Sequence, residues 1–333
     1  MLSDFFLPPG ALVLPIRARS PEAVEEQLAA SITLDGRHVH EQHVVSRVLL
    51  KEFSSVMPKG RRVESYRLDT GTSKATGLGQ AGVKTDLLPL ASASAEELWR
   101  DAENRMGRIL AKGALTLDSL RDPSLVQTIN DIIALHYARS LAVVAMGDQI
   151  FENVRTQLKS NLVEHLGGAG FLKSGGGLYV RGSDVVDGVV ERVLRDSSTA
   201  RLVRSGGWRR VRMEHLYVDA RDALRPLQIS LLRAREKEFL IGDVPVITIR
   251  DSPRSFGIMG GVPIGRAEGI FLPLGPSLLA FSATQAAVFD ADPEVVDEIN
   301  SIQVRLAHDR VFFRPGAQLG AFVSVVRRAQ PAS

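Results

Sequence analysis

The hydrophobic period of this chain changes once, and that change limits what it can fold into. Between Ser94 and Leu166 the apolar residues recur three and four apart. After Leu227 they come in short runs or alternate, with Gly and Pro between the runs. Helical period first and strand period later exclude a regular βαβ alternation and point to an α+β fold. Ser94-Ala95-Glu96-Glu97 reads as a capping box, followed by a stripe of Leu98, Ala102, Met106, Ile109 and Leu110 and a stop at Gly113. Asp122-Pro123 opens a second helix with Leu125, Ile129, Ile132, Ile133 and Tyr137 inward, running to about Met146 with Gly147 as its stop. A third, 149–166, follows almost without a loop, and short connections favour antiparallel neighbours. Strands are expected at 227–233, 238–241, 244–249, 270–272 and 278–282, a helix at 294–308 and a closing strand at 310–314. Residues 316–327 fit a final helix or strand. The expected architecture is α+β: a central helical bundle packed against a C-terminal, mostly antiparallel sheet.

With 333 residues the chain is long enough for a sizeable core. Residues 1–35 read as an N-terminal extension with a short helix, capped by Ser20 ahead of Pro21, and residues 36–330 as a single α+β domain. Residues 69–82 are rich in Gly, Thr and Ser and are expected to be a loop. Further helices are expected from Ser183 to Leu194 and over 213–223. Residues 250–268 form a long Gly-containing connection, expected to border the functional cleft.

Composition excludes several chemistries. Cysteine is absent, which removes disulfides, thiolate nucleophiles and zinc–thiolate sites and fits a reducing, cytoplasmic setting. No apolar run reaches the roughly 18 residues of a membrane span, so no membrane association is expected. The net charge of +3 is too small to announce nucleic acid by itself, so a basic footprint has to be local. The best local one runs from Arg201 to Arg212, five Arg around Trp208, with Arg209 and Arg210 able to meet phosphate and the indole offering a stacking face. The Gly-rich stretch Gly167-Gly168-Ala169-Gly170-Phe171-Leu172-Lys173-Ser174 is not a P-loop, because Leu172 stands where glycine is needed and a helix precedes it.

The densest gathering of titratable groups is Arg37-His38-Val39-His40-Glu41-Gln42-His43, running into Val44-Val45-Ser46-Arg47-Val48-Leu49-Leu50-Lys51-Glu52-Phe53. Helical spacing from Glu41 to Glu52 sets His43 and Arg47 four apart on one face. The His spacing also suits a divalent metal, with His40, His43 and a carboxylate such as Asp243 as ligand candidates. Arg139 lies within an otherwise apolar helix, beside Ala and Leu, and needs a partner. Glu103 on the preceding helix is the expected one, as a structural ion pair. His136, in the same apolar helix, reads as a satisfied core histidine.

These pieces resemble the bacterial domain-of-unknown-function family 4238. Its members open with a basic residue, a Gln-His pair, an apolar pair, Pro-Gln, a hydrophobic run and Phe. Here Gln42-His43-Val44-Val45 and Val48-Leu49-Leu50-Lys51-Glu52-Phe53 match, while Ser46 and Arg47 replace Pro-Gln. Glu103, the run Ile132-Ile133-Ala134-Leu135-His136-Tyr137-Ala138-Arg139, Asp243 in Gly242-Asp243-Val244-Pro245, Pro273-Leu274-Gly275-Pro276 and Asn300 match the family's later motifs in order. The resemblance spans about 37–314. It carries no activity with it, but it points to His43, Asp243 and Asn300 as site residues.

The expected function is hydrolysis of a nucleic-acid or nucleotide phosphoester, one form being a toxin or phage-defence nuclease acting on RNA or DNA. His43 would be general base or metal ligand, Asp243 its orienter, and Asn300 a substrate-positioning group. Arg47, Arg139, Arg209 and Arg210 would hold phosphate. The alternative is a non-catalytic nucleic-acid- or protein-binding module. A cofactor is not specified by the residues beyond a divalent metal.

Overall fold

A computed structural model describes residues 37–88, 92–113, 115–165, 205–250 and 262–329, with a few residues outside these ranges. The expected helix at 183–194, most of the N-terminal extension, residues 201–204 and residues 251–261 of the long connection lie outside the described residues.

The fold is α+β. Seven helices are described: α1 (Arg47–Glu52), α2 (Ser92–Ala111), α3 (Pro123–Ala138), α4 (Leu141–His165), α5 (Gly207–Leu224), α6 (Pro293–Leu306) and α7 (Leu319–Arg328). The central layer is α3, whose side chains from Leu125 to Ala138 are nearly all buried between α2 and α5. Asp122 caps α3 by accepting from the Ser124 N–H at 2.9 Å, with Pro123 at the first helical position. The bundle's third member is α5 rather than the expected 149–166 helix. The break also falls at Arg139–Ser140 and not at Gly147, which lies inside α4. Ser140 explains this: its hydroxyl accepts from the Val143 N–H and its carbonyl from the Val144 N–H, so a new helix is capped there.

Two five-stranded sheets flank the helices. One has the order β10 (Ile247–Ile249), β11 (Gly269–Gly275), β12 (Leu278–Ala283), β8 (Gln228–Ala234), β13 (Val288–Ala291). Its pairs are antiparallel except β8–β13, which is parallel. The helical bundle covers one face through Ile229, Leu231, Ile270, Leu272 and Ala280, and α6 covers the other through Val295, Val296, Ile299 and Ile302. The second sheet joins the two ends of the chain. β3 (Gly60–Arg67) pairs with β2 (Ser55–Met57), β4 (Ser73–Gly77) and β14 (Arg310–Phe313), and β14 continues to β9 (Ile241–Gly242). β4 stands where a loop is expected from composition. Two two-stranded antiparallel pairs complete the described strands: β1 (Glu41–His43) with β5 (Val83–Thr85), distant in sequence, and β6 (Phe171–Lys173) with β7 (Tyr179–Arg181). α7 settles the open reading of the C-terminal segment as helix, with Val323 and Val326 packed on Tyr66, Val311 and Phe313.

The joint between the two sheets is polar and dry. Asn300 and Gln303, one helical turn apart on α6, are both fully buried. Asn300 accepts from the Leu240 N–H at 2.9 Å and donates to the Glu238 carbonyl at 2.8 Å. Gln303 accepts from the Gly242 N–H at 2.8 Å and donates to the Pro245 carbonyl at 2.7 Å. The two amides thus serve the segment around β9 as a neighbouring strand would. Gly242 is required here, because a Cβ at that position would stand 2.9 Å from the Gln303 oxygen. Replacing Gln303 by Ala strands one buried donor and one buried acceptor, so Gln303→Ala is expected to cost about 2–4 kcal/mol of stability. A denaturant midpoint equal to that of the wild type would contradict this bracing role.

Candidate functional site

The segment expected to be one helix from Glu41 is a strand, a turn and a short helix. β1 alternates: Gln42 faces inward, while Glu41 and His43 face the other way. Gln42 is held by its side-chain oxygen, which accepts from the Leu88 N–H at 2.6 Å. Val44 and Val45 then enter the core, and Ser46, with extended φ −60° and ψ 142°, precedes α1. His43 and Arg47 therefore do not share a helix face. The apolar residues at 44, 45, 48 and 49 imitate helical spacing only because a buried turn lies between two elements.

Ser46 is pinned to α3. Its N–H and its hydroxyl both donate to Nε2 of His136, at 3.1 and 2.8 Å, and His136 Nδ1 donates to the Ile132 carbonyl at 2.9 Å. These partners fix the tautomer with the proton on Nδ1. His136 is fully buried, and burial, aided by the positive charge of Arg139, lowers its pKa to about 3. It is a core histidine that ties the α1 entry to the central helix.

Arg139 and Glu103 meet as the Arg of an apolar helix requires. Arg139, 1 % exposed, donates from Nη2 to Glu103 Oε1 at 2.9 Å, and its guanidinium carbon lies 5.7 Å from the centre of the Trp99 ring. Trp99 and Glu103 are four apart on α2, so one helix face offers the cation both a π-face and a carboxylate. The Nε of Arg139 is buried without a hydrogen-bond partner among the described residues. His43 is half-buried beside this group. Its Nε2 lies 3.2 Å from the Leu78 carbonyl; a carbonyl only accepts, so Nε2 carries the proton and Nδ1 is left as the basic nitrogen. Burial lowers the His43 pKa below its ordinary value. The Arg139 and exposed Arg47 cations lower it further, against the Leu78 bond and the Glu103 carboxylate. The result is an imidazole biased towards its neutral form, within electrostatic reach of two guanidinium groups and one carboxylate.

The structure does not bring Asp243 or Asn300 to this group. Asp243, 3 % exposed, accepts from three backbone N–H groups, His308 at 2.7 Å, Asp309 at 2.8 Å and Arg310 at 3.0 Å. Burial raises its pKa, and the three donors bring it part of the way back. Its work is to hold the turn from α6 into β14, and Asn300 serves β9 as described above. Both residues are buried and turn their polar atoms to backbone groups around α6, β9 and β14, and neither is hydrogen-bonded to His43. The basic stretch is corrected as well. Arg210 is 1 % exposed, donating to Ser94 at 2.9 Å, Glu214 at 2.7 Å and the Leu90 carbonyl, so it braces α5 against the start of α2 and cannot reach phosphate. Arg209 is part-exposed and pairs with Asp148 at 3.0 Å on the surface, a contact that leaves its phosphate role open. The metal candidates separate too: His40 stands with His38 and Asp86, while His43 and Asp243 have the partners just given. Asp86 gave no signal in sequence, since a lone Asp after a short alternating run reads as a turn residue.

A cavity of about 320 Å³ opens elsewhere, between the C-terminal ends of α1 and α2 and the β11–β12 turn, lined by Glu52, Leu110, Arg233, Arg235 and Ser277 among others. None of the residues expected to form the site lines it. No helix among the described residues is long and apolar enough to cross a membrane. A family model described as a protein of unknown function (DUF4238) matches residues 41–317. No curated protein and no solved structure matches the chain.

The buried His136 makes stability depend on pH. In the folded chain it stays neutral down to about pH 3, whereas the unfolded chain takes up the proton near 6.5. Its contribution is fully present above about pH 6.5 and is lost at about 1.4 kcal/mol per unit as pH falls towards 3. His136→Gln is expected to flatten the acid limb of the stability profile. An equally steep limb in that variant would place the proton uptake elsewhere.

Proposed function

The chain belongs to the DUF4238 family, and for it we propose hydrolysis of a phosphoester, in RNA, DNA or a nucleotide, at the group formed by His43, Arg47, Glu103 and Arg139. The observation that carries this reading is a half-buried His43, its pKa lowered, whose Nδ1 makes no hydrogen bond among the described residues while two guanidinium groups act on it. Nδ1 takes the proton of an attacking water, and the water oxygen bonds to phosphorus as the ester P–O bond breaks. The leaving oxygen is protonated from solvent. Arg47, exposed, meets the substrate's charge, and Arg139 supplies fixed positive charge at the site's floor. Glu103 holds Arg139 in place and offsets part of its charge. A divalent metal is not needed for this assignment of roles. The absence of cysteine suits a reducing compartment such as the cytoplasm.

The second reading, a non-catalytic binding module, is favoured by one observation. Asp243, Asn300 and Arg210 all act as internal braces, so fewer polar groups remain for chemistry.

The two readings part in one assay. The full-length protein is incubated with single-stranded RNA, single- and double-stranded DNA, a cyclic dinucleotide and bis(p-nitrophenyl) phosphate. Turnover of at least one is expected. His43→Ala should lower it by about 10²–10⁴-fold with the unfolding midpoint nearly unchanged. The pH profile of kcat/KM should hold level through neutrality and fall on the acid side with its inflection below 6.5. No turnover of any probe would leave the binding module, and full turnover in His43→Ala would overturn the role of His43.

A further inference from the structure

One end of the β1–β5 strand pair gathers three side chains that the His43 group does not use. His38 Nε2 and His40 Nδ1 lie 2.7 and 3.1 Å from the same oxygen of Asp86. The two imidazole rings stand 4.4 Å apart at 82° to one another. A spacing of two residues turns both histidines to one side of an extended chain. The backbone fixes this arrangement from both ends. The Asp86 N–H donates to the His40 carbonyl at 2.9 Å, one step beyond the Glu41–Thr85 rung, and the Ala93 N–H donates to the Arg37 carbonyl at 3.2 Å. Asp86 has φ 53°, in the left-handed region where glycine costs less. An aspartate kept at such a position sets its carboxylate against the two rings.

We propose that His38, His40 and Asp86 form a binding site for a divalent transition metal of the zinc class, with water completing the coordination. Two imidazole nitrogens and a carboxylate oxygen are a donor set that zinc accepts, with bonds of about 2.0–2.2 Å. Around a tetrahedral ion of that bond length the donor atoms sit roughly 3.3–3.5 Å from each other. The three donor atoms here all lie within 4.8 Å of one another, so side-chain rotations that move their ends by about an ångström admit the ion. Hydrogen bonding alone explains the cluster poorly, because exposed ion pairs contribute little to stability. His40 and Asp86 are both open to water, so the ion enters without a rearrangement of the fold and keeps at least one position for water. This site does not rest on the hydrolase reading, since none of its three residues belongs to the His43 group.

The test uses the untagged full-length protein, stripped with chelator and titrated with Zn²⁺ by calorimetry, with thermal unfolding measured in parallel. One ion per chain is expected, with a saturable rise in Tm. Loss of an outer-shell partner already weakens a metal site about 10–100-fold, so losing a direct ligand through His40→Ala or Asp86→Asn should weaken binding at least about tenfold. His308→Ala, an exposed histidine elsewhere, should bind as the wild type does. No heat and no Tm rise up to about 1 mM zinc, or unaltered binding in His40→Ala and Asp86→Asn, would overturn the proposal.

Discussion

A guanidinium buried at the centre of an apolar helix bundle is the constraint on which the candidate site depends. Removing such a charge from water costs several kcal/mol unless it is paired. Arg139 meets that cost with the Glu103 carboxylate and the Trp99 face, both presented by α2. Its place at the C-terminal end of α3 adds the favourable helix dipole. The pairing fixes α2 against α3, and Ser46 on His136 fixes the start of α1 against the same helix. His43 sits at the junction of these contacts, and its bias towards the neutral form follows from them: burial first, then the fields of Arg139 and Arg47.

A second set of polar contacts holds the other half of the molecule. β9 has only two residues, too few to fix the segment around it by ladder bonds alone. Asn300, Gln303 and Asp243 take up the remaining backbone donors and acceptors between α6, β9 and β14. The second sheet can then close with strands from opposite ends of the chain. Three of the most chemically expressive side chains in the sequence are thereby consumed by architecture.

The helices were legible because their apolar stripes repeat over several turns, and the Glu103–Arg139 pairing followed from the cost of an Arg among Ala, Leu and Ile. The edges of elements were not. Val44, Val45, Val48 and Leu49 fit a helix by spacing, yet the first two lie in the buried turn after β1 and the last two in α1. β4 is hidden by Thr, Gly and Ser, which suit an exposed strand as well as a loop. Asp243 and Asn300 misled for a deeper reason. A side chain that satisfies buried backbone groups and one that binds substrate are drawn from the same polar residue types, and sequence spacing does not reveal which side of the core they face. Arg210 misled in the same way: in sequence it is one cation among five, whereas in space it is enclosed between α2 and α5.

Burial first, and then Arg139, Arg47 and Glu103, bias the charge state of His43, and a side-chain NMR titration of His43 measures that bias. The imidazole is expected to titrate below 6.5 in the wild type. Glu103→Gln, which removes the one carboxylate favouring the imidazolium, should move the midpoint lower still, and Arg47→Ala should move it back up. A His43 that titrates at or above 6.5, or whose midpoint ignores both substitutions, would contradict the claim.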